Sequence, residues 1–160
     1  MIGQCIKIII SFHTTYFHTE DLELKKIAIA FRIEYSCWHG QPYAYRLSEN
    51  SAAYIIENKQ VAEYEQREHF FHELGHIVRH CGDQCDMPEL FLQMQEAEAR
   101  QFALYAAIPY HMIDFNRTHS LKSIMQEFHF TLNLAYTRID GMCQQIIVQQ
   151  NGSTDEKRCE

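Results

Sequence analysis

The sequence predicts an α+β fold: a small N-terminal β-sheet packed on a long helix, with further helices making up the C-terminal half. Three observations carry that expectation. Short stretches rich in β-branched and aromatic residues, punctuated by Gly, Pro and Asn, are confined to the N-terminal part of the chain. Beyond them, apolar residues recur at helical spacing. At 46 % hydrophobic and 12 % aromatic, the chain also carries enough apolar material to bury a core. Its 160 residues suit a single domain over residues 1–150, followed by a flexible polar tail at 151–160.

The elements follow in order. Ile6 and Ile8 to Ile10, interrupted by Lys7, form an apolar run too short to span a membrane and without a small-residue cleavage site. A short edge strand or a poorly ordered leader is expected there, and with it a cytoplasmic protein that does not engage membranes. Residues 21–30 read as a helix, with Leu22, Leu24, Ile27 and Ile29 apolar and Lys25 and Lys26 facing out. Residues 33–38 and 42–47 read as short strands around a His39-Gly40-Gln41-Pro42 turn, and residues 52–57 as a third strand ended by Asn58.

Residues 61–80 form a long helix with Phe71, Leu74 and Val78 in one apolar stripe, flanked by Phe70 and Ile77 and closed by Gly82. Residues 88–108 form a second long helix stopped by Pro109, with Leu90, Phe91, Met94, Leu104 and Tyr105 as its bulky apolar face. Residues 120–128 and 132–150 are two more helices joined by a tight turn. That pair has the length of a helix-turn-helix, yet Arg138 is the sole cation on its second helix, so core packing is the expected role.

Charge and cysteine usage narrow the function. A formal charge of −7 with scattered basic residues excludes a protein that works by neutralising nucleic-acid phosphates. The six cysteines show no compact framework and read as free thiols in a reducing compartment. Cys81 and Cys85, just past the long helix, read as loop thiols, with a second metal site or a redox pair as the alternative.

The chemistry concentrates in His72-Glu73-Leu74-Gly75-His76. Two histidines one helical turn apart share a face, so their imidazoles can converge on one ion. Glu73 points about a quarter-turn away, too far round to ligate but within reach of a water on that ion, where a general base belongs. A catalytic zinc takes three protein ligands and leaves a position open. Glu96 and Glu98 on the next helix both offer the third. They point about 200° apart, so one alone can face the metal. Glu98 lies at the margin of the bulky face and Glu96 on the side of Ala103 and Ala107, and spacing leaves the choice open.

This motif, followed by Glu96-Ala97-Glu98-Ala99-Arg100-Gln101-Phe102-Ala103 and closed by Ala107-Ile108-Pro109, resembles the ImmA/IrrE family of zinc metallopeptidases. The family pattern is HExxH, then a helix of the form ExxA(N/D)xFA ending in an apolar run and proline. The likeness extends over most of residues 20–145. It implies a zincin-like metallopeptidase domain, with one zinc per chain held by His72, His76 and Glu96, and Glu73 as the base. It also implies a protein substrate: members cleave helix-turn-helix repressors of mobile elements, phage or stress genes, in the manner of an anti-repressor. Arg100 departs from the pattern, standing where the family has Asn or Asp. A guanidinium cannot accept a hydrogen bond from a ligand imidazole, and one turn after Glu96 it is placed to pair with that carboxylate.

Two other readings stay open beside the peptidase: a zincin-fold binding module that has lost cleavage, and a metal or redox sensor using the histidines with Cys81 and Cys85. His69 and His80 extend the motif's face by a turn each and read as solvated or core-satisfied rather than catalytic. Tyr43, Tyr45 and Tyr54 read as strand residues, with nothing to mark one of them as a carbonyl-polarising group.

Overall fold

The structure, a computed structural model, describes residues 24–46, 52–80, 87–114 and 120–155, with side chains described to 148. Its elements are α1 (Leu24–Ala30), β1 (Ile33–Trp38), β2 (Tyr43–Arg46), β3 (Ala53–Asn58), α2 (Glu63–Arg79), α3 (Glu89–Ala107), a 3-10 turn (Tyr110–Met112), α4 (Leu121–Phe128) and α5 (Leu132–Asp155). The expected α+β architecture is the observed one. The N-terminal apolar run, the start of the first helix before Leu24, the Gly82 helix stop, Cys5, Cys81, Cys85, Cys159 and residues 156–160 lie outside the described residues.

The sheet has the order β1-β3-β2. β3 is central, parallel to β1 and antiparallel to β2. The strands flanking the 39–42 turn are therefore not paired with each other, because β3 enters between them. The turn is held locally: the Trp38 indole N–H donates to the Gln41 carbonyl at 3.2 Å. A Cβ on Gly40 would sit 2.5 Å from the Trp38 ring, so any other residue there would displace the indole. Along β3 the inward positions alternate as Ala53, Ile55 and Glu57, all buried.

Helix α2 covers the sheet with Phe70, Phe71, Leu74 and Ile77 buried, so the residues expected to flank the stripe belong to the core and Val78 sits at its edge. Helix α3 overturns the expected bulky face in its first half, while Leu104 of that set packs against the core. Leu90 is 81 % exposed, and Phe91 and Met94 are exposed as well. The buried face is instead Ala99, Phe102, Ala103, Ala106 and Ala107, with Gln95. The reason is a close helix crossing. A Cβ placed on Gly75 of α2 would meet the Ala99 Cα at 3.1 Å and Phe102 Cδ1 at 3.2 Å. Two small residues at the crossing bring the helix backbones together, and bulk on that face would force them apart.

The C-terminal helices are fixed by caps and by two buried arginines. Ser120 Oγ accepts from the Ser123 N–H at 3.1 Å and starts α4. His129, in the left-handed conformation with φ 55°, ends it. Thr131 Oγ1 accepts from the Leu134 N–H at 3.2 Å and donates to Glu68 at 2.7 Å, tying the start of α5 to α2. Arg67 Nε donates to the Phe128 carbonyl at 3.1 Å, and Arg138 Nε to the Ile108 carbonyl at 2.9 Å. Each guanidinium thus meets the carbonyl end of a helix, where a cation is favoured. Buried in that role, Arg138 is not presented to a DNA phosphate. Helix α5 runs on to Asp155, past its expected end at residue 150. No helix among the described residues is long and apolar enough to cross a membrane.

Candidate metal centre

The α2–α3 crossing brings His72, His76 and Glu96 together. His72 Nε2 and His76 Nε2 lie 3.1 Å apart. Glu96 Oε2 is 3.3 Å from His72 Nε2, and Glu96 Oε1 is 3.1 Å from His76 Nε2. Among the described residues this is the group of His, Cys, Asp and Glu side chains that can close on one ion, its ligand atoms all within 4.8 Å of one another.

The donor set fits a small divalent metal. A tetrahedral ion with ligands at ~2.0–2.1 Å spaces them by roughly 3.3–3.4 Å, close to the separations present. Burial, strongest among the influences on both histidines, pushes their pKa values down against the pull of Glu96, His76 to about 4. Near neutral pH both imidazoles are therefore uncharged, the form in which histidine ligates.

Glu98 turns elsewhere. Its Oε2 pairs with Arg79 at 3.2–3.3 Å and lies 3.9 Å from His80 Nε2. The carboxylate that meets the two histidines is Glu96. Arg100 Nη1 lies 3.9 Å from Glu96 Oε2, the pairing expected from its place one turn on.

Glu73 is held beside the group by the edge strand. Arg46 Nη1 donates to the Ile77 carbonyl at 3.2 Å, joining β2 to α2, and the Ala44 backbone on that strand is near enough to pull the Glu73 pKa down. Burial and the nearby charge of Glu96 still raise the Glu73 pKa to about 7. A carboxyl poised there can both take and give a proton near neutrality.

Behind Glu73 stands a residue that the sequence reading passed over. Glu57 is fully buried, with neither carboxyl oxygen hydrogen-bonded among the described residues. Burial first, and Glu73 second, raise its pKa to about 8. The signal was present in the strand alternation, which sends residues 53, 55 and 57 to one face. His69 Nδ1 lies 3.8 Å from this carboxyl and His80 3.9 Å from Glu98, so neither flanking histidine joins the metal group. Arg67 was missed too, although it stands one turn before Phe70 and Phe71 on the buried face of α2.

Comparison with known proteins places this geometry in a family. The profile of the IrrE N-terminal-like domain of the M78 peptidases matches residues 16–140. The phage-like element PBSX protein XkdA of Bacillus subtilis strain 168 is 33 % identical over 91 residues, covering 54 % of this chain and 46 % of that protein. The chain therefore spans less than half the length of that relative. The match over residues 16–140 takes in the sheet, the HExxH helix and the Glu96 helix together, and the chain belongs to the IrrE N-terminal-like family of M78 peptidases, with its zincin-like metallopeptidase-type fold.

Proposed function

We propose that the chain is a cytoplasmic, zinc-dependent endopeptidase that cleaves a helix-turn-helix repressor at a specific site, acting as an anti-repressor. The observation that carries this reading is the convergence of His72, His76 and Glu96 with Glu73 on the same turn of α2. His72, His76 and Glu96 hold one zinc, which when bound supplies Lewis acidity towards water and a substrate carbonyl. Glu73 takes the proton of the attacking water and delivers it to the leaving amine. Family membership and a relative from a phage-like element support a substrate among the regulators of such elements. The charge of −7 suits docking on a basic DNA-binding protein.

Elemental analysis of the purified protein tests the centre. About one zinc per chain is expected in the wild type and in Glu98→Ala, and none in Glu96→Ala. Glu73→Gln should keep its zinc and lose cleavage of the repressor, and a Glu73→Gln protein that still cleaves would end the mechanism.

A second reading is favoured by one observation, the pairing of Arg100 with Glu96 at 3.9 Å. If that pairing withholds the carboxylate from metal, the chain is a zincin-fold binding module that sequesters a regulator without cutting it. Wild-type protein that takes up no zinc on reconstitution, while Arg100→Asn does, would establish it.

A further inference from the structure

We infer that Arg100 is a specificity-determining residue that selects a substrate carrying a carboxylate side chain beside the cut bond; this rests on the peptidase reading. The Arg100 side chain is 65 % exposed and lines an open groove of about 560 Å³ that begins at His72 and runs between α3 and α5. Met94, Ala97, Leu104 and Leu134 give the groove apolar walls, suited to the stem of a side chain rather than to its charge. Its two acidic residues already have partners: Glu98 binds Arg79 at 3.2 Å, and Glu68 accepts from Thr131 at 2.7 Å.

The ion pair described for Arg100 is with Glu96, and a divalent cation on Glu96 takes up that same negative charge. The guanidinium is then left exposed at the mouth of the groove, next to a metal ligand. A planar fork of N–H donors there matches a carboxylate, which it can hold in two parallel hydrogen bonds. The groove opens to solvent, and the anion we assign to it is an Asp or Glu side chain of the substrate.

The test uses the zinc-loaded full chain and three short peptide hydroxamates, each anchored on the metal. The first carries a glutamate beside the hydroxamate and an amidated end. The second replaces that glutamate with glutamine, and the third has glutamine with a free C-terminal carboxylate. By calorimetry the glutamate probe should bind the wild type about threefold more tightly than the glutamine probe, the size of one solvent-exposed ion pair. In Arg100→Gln that ratio should fall to about one, whatever the change in absolute affinity that both probes share through the metal, and Arg100→Lys should restore part of it.

Equal binding of the first two probes to the wild type would overturn the inference, and so would a preference that survives Arg100→Gln. A preference confined to the third probe would overturn the side-chain assignment in favour of a chain end. If none of the probes binds, the metal reading itself has failed and the inference falls with it. That outcome is separable, because the hydroxamate anchor needs only the metal.

Discussion

Two regions of this molecule draw charged groups out of water, and they settle the cost differently. Around α4 and α5, Arg67 and Arg138 are buried against helix-end carbonyls and against aromatic rings, Arg67 at 5.3 Å from Phe130 and Arg138 at 4.4 Å from Tyr105. Backbone acceptors that helix geometry leaves unused are satisfied there, so the arginines act as staples. At the α2–α3 crossing, by contrast, His72, His76 and Glu96 bind one another, with two neutral imidazoles and a carboxylate aimed at one point. Lone pairs converging on one point are completed by a cation. The contrast separates polar groups that hold the fold from polar groups that the fold holds ready.

The largest expected effect breaks the two regions apart directly. Zinc at about a thousandfold over its Kd should raise the unfolding free energy of metal-free protein by ~4 kcal/mol, less whatever affinity the unfolded cysteines have for the ion. Arg138→Met should gain the same increment, whereas Glu96→Ala should gain none. Urea denaturation with and without zinc reads both, and an undiminished gain in Glu96→Ala would remove the ion from this site.

Next come the arginines. Arg67→Met or Arg138→Met leaves a buried helix-end carbonyl without its donor and should cost ~1–3 kcal/mol, partly offset by no longer burying a charge. Metal-free Glu96→Gln, which removes charge from a half-exposed group, should stay within about 1 kcal/mol of the wild type. If the two kinds of variant lose the same stability, the distinction between staple and poised site collapses.

Gly75→Ala sharpens the comparison from the metal side. The added methyl meets Ala99 and Phe102 at 3.1–3.2 Å and should push α3 off α2 at a cost of ~1–3 kcal/mol, less about 1 kcal/mol from better helix propensity. The net loss of stability is then ~0–2 kcal/mol, and Glu96 moves with α3. Zinc affinity should fall roughly tenfold, as it does when the supports of a ligand are disturbed. Competition with a chelator measures it, and unchanged affinity would mean that the close crossing does not set the Glu96 position.

How much of this was legible depended on how local the cause is. The HExxH turn could be read at once, because His72, Glu73 and His76 owe their arrangement to one helix. The choice between Glu96 and Glu98 could not be read from spacing, since it depends on which face α3 turns to its neighbour. The bulk of Leu90, Phe91 and Met94 pointed to the wrong face, while Gly75 and Ala99 decide the crossing by being small. Strand order escaped for a similar reason: a turn at 39–42 reads as a local link, but the pairing of β3 between its flanking strands is long-range. Glu57 and Arg67 lay on readable inward faces, but their surroundings belong to other elements. Periodicity shows that such a residue points inward; it does not show what it will find there.

Glu57 supplies the smallest effect and the sharpest, because it belongs to neither region. It is buried like the arginines but has no donor among the described residues, and it stands behind the metal group without joining it. Its recourse is to keep its proton, and the folded pKa is raised from 4.5 to about 8. The sign follows from linkage. Between those values the folded state binds more protons than the unfolded one, so stability is full below about 4.5 and is lost as pH rises through 8. Glu73 acts in the same direction, but with a folded value of about 7 it is already half ionised at pH 7 and adds only a minor share above it. His72 and His76, whose folded values are depressed, act in the opposite direction below the usual histidine range. The window from pH 7 to 8 is therefore dominated by Glu57. Metal-free wild type should lose on the order of 1 kcal/mol across it, the slope of one proton. Glu57→Gln, neutral at every pH, should lose much less there and be the more stable protein at pH 8. Parallel slopes in urea melts of the two proteins would mean that this carboxyl ionises normally and has a partner after all.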